Sequence, residues 1–450
     1  MKRTFRNWGN TVVCRPQIHY PTSLEAIQAI VLQAAAQQRT LRVVGSGHSW
    51  TPLVETNDWL ISLDHFQGIE QVDTEQKTAL VRAGTKLKAL GEALAAHGLA
   101  MENLGDIDVQ SIAGALNTGT HGTGQAFGTL ATQIETITLV DGRGEVQTCS
   151  ATQNTELFKA AQISLGALGI ITHYTLRLVP TYKLHFQAQK ATTEELFQNV
   201  AHYLSTYRNF EFYYFLHTNT IQLKLANTTD TPIRNGGWWK KFNDLVVENG
   251  LFWLMSHAVR LMPRLAIPVS KLSAAAVPLG DYVDQSHRIY ATQRLVRFYE
   301  MEYNLPAEHF KAAFQEVLAC IEREKFKVHM PIECRWVKAD DILISPASGR
   351  DSVYLAFHVF KGMPYRAYFD AMEAIMRRFG GRPHYGKMNT LHYADFQQIY
   401  PYWEKFVAIQ QQQDPQGIFL NNYLRQIFQA ETPDTAATNE IVSSLTPSIS

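Results

Sequence analysis

The chain has 450 residues, a length that favours two domains, because single hydrophobic cores stop growing at roughly 250–300 residues. A hydrophobic content of 46% with 18% charged residues is typical of a globular protein. Basic and acidic residues number 41 each, so no net charge favours a nucleic acid or an acidic surface, and a small neutral ligand fits better.

The cysteines and the chain start indicate the compartment. Cys14, Cys149, Cys320 and Cys334 are widely spaced and form no C-x-x-C pair, which favours reduced thiols over a disulfide framework. We expect no metal site. The N-terminal residues 1–8 are basic but lack a following apolar core, and no run approaches the roughly 18 apolar residues of a membrane helix. We therefore predict a cytoplasmic protein.

The first 179 residues alternate helix and strand signals. Thr22 to Glu25 is a capping-box pattern, and the helix that it starts should run to about Arg39. The remaining elements of this half are predicted as a strand at Val43-Val44, strands 59–63 and 78–83, helix 85–97, a hairpin over 134–149, helix 155–164 and strand 170–179.

The Val43-Val44 strand ends in a glycine-rich turn. Its sequence is Val44-Gly45-Ser46-Gly47-His48-Ser49. Glycine permits positive φ and close backbone approach, so successive N–H groups can converge on an anion such as a pyrophosphate. An ordinary strand-to-loop turn is the alternative. A Rossmann fingerprint is disfavoured, because Trp50 stands where its third glycine belongs and no capped helix opens there.

A second glycine-rich stretch, residues 103–124, adds backbone donors and small hydroxyl side chains with little bulk. Together the two stretches resemble the FAD-binding domain of vanillyl-alcohol-oxidase (PCMH) type flavoproteins. The resemblance narrows to the aldonolactone and alditol oxidases, the group of L-gulonolactone and D-arabinonolactone oxidases.

The resemblance implies how FAD is held. It places the pyrophosphate in the first turn and carries the flavin covalently on His48 through the 8α-methyl; a loop histidine bonded to its neighbours is the alternative. The residues assigned to FAD in this way are Val44, Gly45, Ser46, Gly47, His48, Ser49, Gly105, Asp106, Ser111, Gly114, Thr118, Thr120, His121, Gly122 and Ile170.

Pro180 is a plausible domain boundary. Beyond it, helices over 193–206, 306–323 and 365–379 alternate with strands over 210–216, 221–225, 296–303, 329–337 and 352–360. Antiparallel strands backed by helices are typical of an α+β domain. We therefore predict an α+β protein with an FAD-binding domain over 1–179, a substrate-binding cap over 180–379, a segment 380–428 that returns to the FAD domain, and a disordered tail over 429–450.

Residues 236–280 interleave aromatic and aliphatic side chains, such as Trp238 and Trp253, with basic ones, such as Arg260 and Lys271. Such an amphipathic stretch can rest on a membrane surface. Packing onto the cap or onto a partner subunit is the alternative.

Glu333 and Arg335 are candidate catalytic residues. They stand two apart on a predicted strand, so both side chains project from one face. An arbitrary Glu-x-Arg is more often a structural ion pair. Here, however, the run to Pro346 resembles the aldonolactone oxidases, whose cap sets a glutamate and an arginine against the isoalloxazine. The resemblance implies that Glu333 binds substrate hydroxyls and that Arg335 stabilises negative charge on the substrate oxygen or the flavin.

Lys387 is the third catalytic candidate. The run from Gly381 to Lys387 is similar to the family motif His-Trp-Ala-Lys or His-Trp-Gly-Lys, with Tyr385 in place of the usual Trp. The resemblance places Lys387 near the reacting carbon, where it either favours a developing alkoxide as a cation or takes the hydroxyl proton itself. His384 more simply braces the loop.

Two further positions concern the substrate and the acceptor. His358 lies where the cap of alditol oxidases offers a polar contact, although a lone strand histidine is more often a core residue. Gly105 falls where family oxidases carry glycine and galactonolactone dehydrogenases carry alanine, which favours oxygen as acceptor. Asp106 replaces a substrate-facing serine of alditol oxidases, and its carboxylate disfavours an anionic substrate.

The predicted function is a covalent-FAD oxidase of a sugar lactone or polyol carbinol, with substrate contacts from Asp106, Glu333, Arg335, His358 and Lys387 and with oxygen reduced to hydrogen peroxide. One alternative passes electrons to a quinone or cytochrome, with residues 236–280 at a membrane. Others are a non-oxidative flavin transferase of the ether-lipid-synthase type and a catalytically inactive binding protein.

Overall fold

The computed structural model describes residues 2–235, 249–289 and 296–430. The aromatic and basic residues predicted for 236–248, and the tail predicted beyond residue 430, lie outside these ranges.

Two larger sheets dominate the N-terminal half, and β1 and β2 pair as a separate two-stranded sheet. One of the two larger sheets has three parallel strands in the order β3-β5-β4, and the other has five antiparallel strands in the order β10-β9-β11-β7-β6. The strands of this half are β1 Phe5–Arg6, β2 Val13–Cys14, β3 Gln17–His19, β4 Leu41–Val44, β5 Trp59–Ser62, β6 Ile69–Asp73, β7 Thr78–Arg82, β8 Leu99–Ala100, β9 Ile134–Val140, β10 Val146–Ser150 and β11 Ile170–Arg177.

The helices of this half are α1 Leu24–Ala36, α2 Leu87–Ala96, α3 Ile112–Asn117 and α4 Thr155–Ala161. Serine caps start two of them. Ser23 Oγ accepts a hydrogen bond from Ala26 N at 3.2 Å, and Ser111 Oγ accepts one from Gly114 N at 3.2 Å. Helix α1 precedes the first glycine-rich turn and α3 lies within the second stretch, so the caps help to fix where the two stretches lie.

The second half is built on one antiparallel sheet of eight strands in the order β16-β13-β15-β14-β18-β19-β17-β20. A short strand, β12 Val179–Pro180, pairs instead with β8. The eight strands are β13 Lys183–Thr192, β14 Asn209–Tyr214, β15 Thr220–Thr229, β16 Gly280–Gln285, β17 Phe298–Pro306, β18 Ile332–Val337, β19 Ser352–Phe360 and β20 Arg382–Pro383.

Helices pack on both faces of this sheet, one of which carries the polar side chains of β14, β17, β18 and β19. They are α5 Thr193–Thr206, α6 Asn249–Leu261, α7 Ala266–Ala275, α8 Ser286–Ile289, α9 Phe310–Glu324 and α10 Arg366–Arg378. The ring of Phe212 on β14 meets Phe314 of α9 edge-on at 5.5 Å. Because side chains alternate along a strand, Glu211 and Tyr213 project from the other face.

The C-terminal helices return to the first half. They are α11 Tyr393–Ile399, α12 Trp403–Gln413 and α13 Asn422–Phe428. Leu41 N donates to Ile418 O at 2.8 Å, and Gly142 N donates to Gln413 O at 2.9 Å. The chain end therefore bonds directly to β4, the strand that precedes the first glycine-rich turn.

Within the described ranges, no helix has both the length and the apolarity needed to cross a membrane. The same ranges contain no group of three or more histidine, cysteine or carboxylate side chains that could hold a metal ion. All four cysteines are buried free thiols.

Candidate active site

A cleft lies between the two glycine-rich stretches. Its empty volume is about 1000 Å³, which includes the part that is open to solvent. Nine of the residues that the sequence assigned to FAD line it: Val44, Gly45, Ser46, Gly47, His48, Ser49, Ser111, Gly114 and Thr118. The Trp8 ring stacks on His48 at 5.5 Å between ring centroids.

The cleft wall requires backbone without side chains. A Cβ on Gly45 would lie 2.2 Å from Ser111 Oγ, and Gly47 has φ of +66°. Gly84, which also lines the cleft, would place a Cβ 2.1 Å from Leu63 O. Bare backbone at this spacing lets a ligand approach the peptide groups closely, as a dinucleotide pyrophosphate requires. The residues present therefore fit FAD.

Several lining residues are absent from the sequence prediction. They are Arg42, Asp64, Gly84, Lys86, Gly166, Gly169 and Ile171, among others. Lys86 Nζ lies 2.8 Å from Asp64 Oδ1 and 3.2 Å from Ser46 Oγ, so it brings a cation to the first turn. Gly84 follows strand β7 as Gly45 follows β4, and that repeated strand-then-glycine pattern is a signal that could have identified it.

Arg42 fixes the wall from behind. Its guanidinium is buried and donates to the carbonyl oxygens of Leu53 at 2.8 Å, Gly166 at 2.9 Å and Leu165 at 2.6 Å, and also to Phe419 O. Burial lowers the pKa of Arg42 to about 9 against the raising effect of Asp414, so the group stays a cation at neutral pH.

The other predicted FAD residues do not line this cleft: Gly105, Asp106, Thr120, His121, Gly122 and Ile170. Asp106 and His121 instead face the eight-stranded sheet. Asp106 Oδ2 lies 3.6 Å from Arg335, and His121 Nε2 lies 3.2 Å from Glu302 Oε1. Ile170 is buried in β11, next to the lining residue Ile171.

Strand register places the candidates Glu333, Arg335 and His358 on the polar face of the eight-stranded sheet, because directly paired residues of neighbouring strands point the same way. The paired positions form rows across β14, β18, β19 and β17. The rows are Glu211, Arg335, Tyr354 and Asn304; Tyr213, Glu333, Ala356 and Glu302; and, on the last two strands, His358 and Glu300.

Arg335 is the centre of a buried charge network. Its Nε donates to Glu211 Oε2 at 2.9 Å, and a terminal nitrogen bonds to Glu333 Oε1. Tyr213 also donates to Glu333 Oε1, at 2.8 Å. Burial works to lower the pKa of Arg335, but the carboxylates of Glu333, Glu211 and Asp106 outweigh it and raise that pKa. The site thus holds a permanent cation among carboxylates.

Lys387 connects the sheet face with the first glycine-rich turn. Its Nζ lies 2.5 Å from Glu300 Oε1 and 4.5 Å from the centre of the Trp50 ring. Trp50 N donates to Gly386 O at 2.7 Å, so the turn that carries His48 is bonded directly to the segment that carries Lys387.

Two histidines beside Lys387 have defined hydrogen bonds. His384 Nδ1 accepts from Gly386 N at 3.0 Å, and burial lowers the pKa of His384 to about 4, so the ring is neutral with its proton on Nε2. This bond braces the loop. His358 Nδ1 lies 2.9 Å from Pro331 O, which can only accept, and its Nε2 lies 3.5 Å from Glu300 Oε1.

Carboxylates on β14 and β17 are the main residues that the sequence analysis missed. Glu300 and Glu302 are buried and two apart on β17, and Glu211 is buried on β14. Burial works to raise the pKa of Glu302, but His121, Lys387 and His384 lower it to about 2. Acidic residues at alternate positions of an otherwise apolar strand were the available signal.

A cleft that suits a dinucleotide is joined by main-chain hydrogen bonds to a buried face of paired cations and carboxylates. This combination is typical of an FAD-linked oxidoreductase with a two-part FAD-binding fold. Family comparison agrees: residues 16–150 match the FAD binding domain, and residues 174–427 match D-arabinono-1,4-lactone oxidase. The chain belongs to the D-arabinono-1,4-lactone oxidase family.

Relatives of similar length share about a third of the residues. The chain is 35% identical over 428 residues to an L-gulono-1,4-lactone dehydrogenase of Mycobacterium tuberculosis, covering 95% of this chain and 99% of that protein. It is 34% identical over 432 residues to an L-gulonolactone oxidase of Scyliorhinus torazame, covering 94% and 98%.

Among solved structures, a cholesterol oxidase from B. sterolicum superimposes with a TM-score of 0.81 at 18% identity, covering 95% of this chain and 97% of that one. At this identity the likeness concerns the fold alone. It confirms the predicted α+β architecture of the flavoprotein type.

Proposed function

We propose that this protein oxidises a carbinol of a sugar-derived aldono-1,4-lactone or alditol and passes the electrons to oxygen, giving hydrogen peroxide. The observation that carries the proposal is the position of Arg335, Glu333 and Lys387 on one buried face that is bonded to the dinucleotide cleft. FAD, when bound, accepts hydride from the carbinol carbon at its N5. Relatives of this chain are named lactone oxidases or a lactone dehydrogenase, which supports a lactone as the substrate.

The polar face binds the substrate hydroxyls. Glu333 Oε1 already accepts from Tyr213 and Arg335, so its orientation is fixed before a hydroxyl arrives. Arg335 stabilises negative charge that develops on the substrate oxygen, because a preorganised cation in a water-poor site is effective there. Asp106 and His358 complete the set of proposed substrate contacts.

His48 is the proposed covalent attachment of FAD, supported by its place on the cleft wall. We expect wild-type flavin to stay with acid-precipitated protein and His48→Ala to release it, which absorption of the washed pellet at visible wavelengths will show. Ser46→Ala is the matched control in the same turn and should keep the flavin attached. Colourless washed wild-type protein contradicts the attachment.

The experiment that tests the reaction is anaerobic addition of aldonolactones and alditols to the native protein. One compound should bleach the flavin, and air should restore the colour with stoichiometric peroxide. A flavin that no carbinol bleaches overturns the proposal and favours a non-oxidative transferase.

A dehydrogenase is the second candidate, because a relative covered over 99% of its length is named a dehydrogenase. It predicts bleaching by a lactone, slow return of colour in air and fast turnover with an artificial dye. Gly105 supports the oxidase, because the resemblance gives family oxidases glycine at this position and galactonolactone dehydrogenases alanine.

We also propose that the protein is cytoplasmic with peripheral contact between α6–α7 and an anionic membrane. Leu251, Leu254 and Leu261 are more than half exposed and recur at helical spacing on one side of α6. From residue 249 to residue 280 the sequence has basic but no acidic residues. An apolar helix side flanked only by cations suits an interface with acidic lipids.

A further inference from the structure

We propose that Glu300 is a positioning residue that holds Lys387 in its ammonium form, so that Lys387 serves the reaction as a fixed cation and not as the base. The inference concerns the proton state of one side chain. Its role in turnover rests on the proposed carbinol oxidation, whereas the proton state itself does not.

Lys387 is in contact with groups that stabilise positive charge. Glu300 Oε1 is 2.5 Å from Nζ, and the Trp50 ring face is 4.5 Å away. A carboxylate at contact distance and an aromatic face both favour the ammonium over the amine. The side chain of Glu300 is 4% exposed, so little water screens the pair.

The remaining titratable groups around the pair do not reverse this balance. Glu302, two residues along β17, adds a second carboxylate whose pKa is held near 2, so it is ionised. His384 is neutral, as its Nδ1 accepts from a backbone N–H and its pKa lies near 4. His358 Nε2 lies 3.5 Å from Glu300 Oε1 and His121 Nε2 lies 3.2 Å from Glu302 Oε1, so each of these histidines has a carboxylate beside it.

Strand geometry keeps the pair together. Glu300 is directly paired with His358 on β19, and Met388 N donates to Glu300 O at 2.9 Å. The backbone of β17 therefore fixes both the carboxylate and the segment that ends in Lys387. A base would need to be free of its proton when substrate arrives, and this arrangement opposes that state. The hydroxyl proton then passes to a carboxylate of the same buried face, Glu333, which the proposed function places at the substrate hydroxyls.

The test measures the proton state of Lys387 without substrate. Trace acetic anhydride, which acylates amines and not ammonium ions, is added to holoenzyme across a range of pH, and labelling of Lys387 is quantified by mass spectrometry against an internal free amine. We expect Glu300→Gln to lower the half-labelling pH of Lys387 by about 1 unit or more, because an adjacent opposite charge shifts such equilibria by about 1–3 units. Glu300→Asp keeps the charge, so it should restore most of the half-labelling pH that Glu300→Gln loses.

Glu373→Gln is the matched control. Glu373 is also a buried glutamate, but it bonds to Tyr303 and Thr390 away from Lys387, so its loss should leave the half-labelling pH unchanged. Two results overturn the inference. One is that wild-type Lys387 labels at neutral pH like a free amine, and the other is that the half-labelling pH is equal in wild type and Glu300→Gln.

A second readout connects the proton state with the reaction. The rate of anaerobic flavin bleaching by a lactone should fall at alkaline pH, and the fall should begin at lower pH in Glu300→Gln. If Lys387 were the base, the same variant would instead gain rate at lower pH. A labelling shift without bleaching by any compound would contradict the proposed function alone, and bleaching without a labelling shift would contradict the inference alone.

Discussion

At the scale of single residues, the site depends on charges that are buried together. Arg335 meets Glu211, Glu333 and Asp106, and Lys224 Nζ lies 3.1 Å from Glu211 Oε1. Each carboxylate is costly to bury alone, and the cations offset that cost. The groups proposed to bind substrate are therefore also groups on which folding depends.

Arg335→Met should lower the free energy of unfolding by about 3–5 kcal/mol, because it leaves buried carboxylates without their counter-charge. Arg335→Lys should be less destabilising but should slow flavin bleaching at least about tenfold, since an ammonium cannot make the separate contacts of a planar guanidinium. Urea unfolding and anaerobic bleaching rates will check both.

Arg323→Met is the control, because Arg323 forms an exposed ion pair with Glu324 and its loss should leave unfolding unchanged. Equal stability of Arg335→Met and wild type would show that the network is solvated and not buried.

The family resemblance assigned Glu333 and Arg335, which share a strand, and Lys387, which shares a loop with His384, because each of these motifs is contiguous in sequence. Their catalytic roles stay predictions. Glu211, Glu300 and Glu302 join the site only through strand register with β18 and β19, which a single sequence does not encode locally. Lys86 likewise reaches Ser46 across 40 residues.

At the scale of elements, long periodic segments were predicted well and polar strands were not. The helix expected over 193–206 and the strand expected over 352–360 have the observed bounds of α5 and β19. The ten-residue strand β13 was missed, because Lys183–Thr192 mixes charged and amide side chains with its apolar positions. It is stabilised by pairing on both sides, with β15 and β16.

Helix α6 is docked through one buried polar contact that titrates. His329 Nε2 lies 2.9 Å from Ser256 Oγ, which itself donates to Phe252 O, so the neutral ring donates to the hydroxyl. Burial lowers the pKa of His329 to about 4. Between pH 6.5 and 4 the unfolded chain binds a proton that the folded protein excludes, so stability falls as pH falls.

Because of this histidine, we expect the free energy of unfolding to be lower at pH 5 than at pH 7 by roughly 2 kcal/mol. His329→Gln, whose amide keeps a donor to Ser256, should lose that part of the pH dependence, as urea midpoints at the two pH values will show. His384 titrates in the same direction in both proteins, so the difference between them isolates His329. Identical pH dependence in the two proteins would contradict the assignment.

The outer side of α6 gives the membrane prediction. Leu254→Glu with Leu261→Glu should abolish co-sedimentation with vesicles rich in phosphatidylserine, because it places acids on the apolar side of a cationic helix. Leu32→Glu on α1, also an exposed leucine, is the control. Wild-type protein that does not sediment with these vesicles at low salt, or that sediments equally with phosphatidylcholine, contradicts the proposed contact.

At the scale of the whole molecule, the chain end completes the cofactor half. Asn421 Nδ2 donates to Pro52 O at 2.7 Å and to Glu55 O at 2.9 Å, and Arg42 donates to Phe419 O. These bonds hold β4 and the segment after the first glycine-rich turn. The resemblance implied this return; composition and periodicity alone gave no reason for it.

Ending the chain at residue 402 should therefore abolish flavin retention, because it removes α12, α13 and the bonds to β4. Flavin content per chain after purification is the measurement. Removal of residues 431–450, predicted from composition to be disordered, should leave it unchanged. Full flavin content in the chain that ends at residue 402 would show that FAD binding does not need the C-terminal helices.

The two halves are joined by main-chain bonds on several sides of the site. Gly124 N donates to Trp336 O at 2.8 Å, Lys338 N donates to Phe127 O at 2.8 Å, and Trp50 N donates to Gly386 O at 2.7 Å. Hinge opening would have to break all of these bonds in every catalytic cycle. We therefore expect substrate and product to enter and leave through movements of side chains and loops, while the two halves stay fixed against each other.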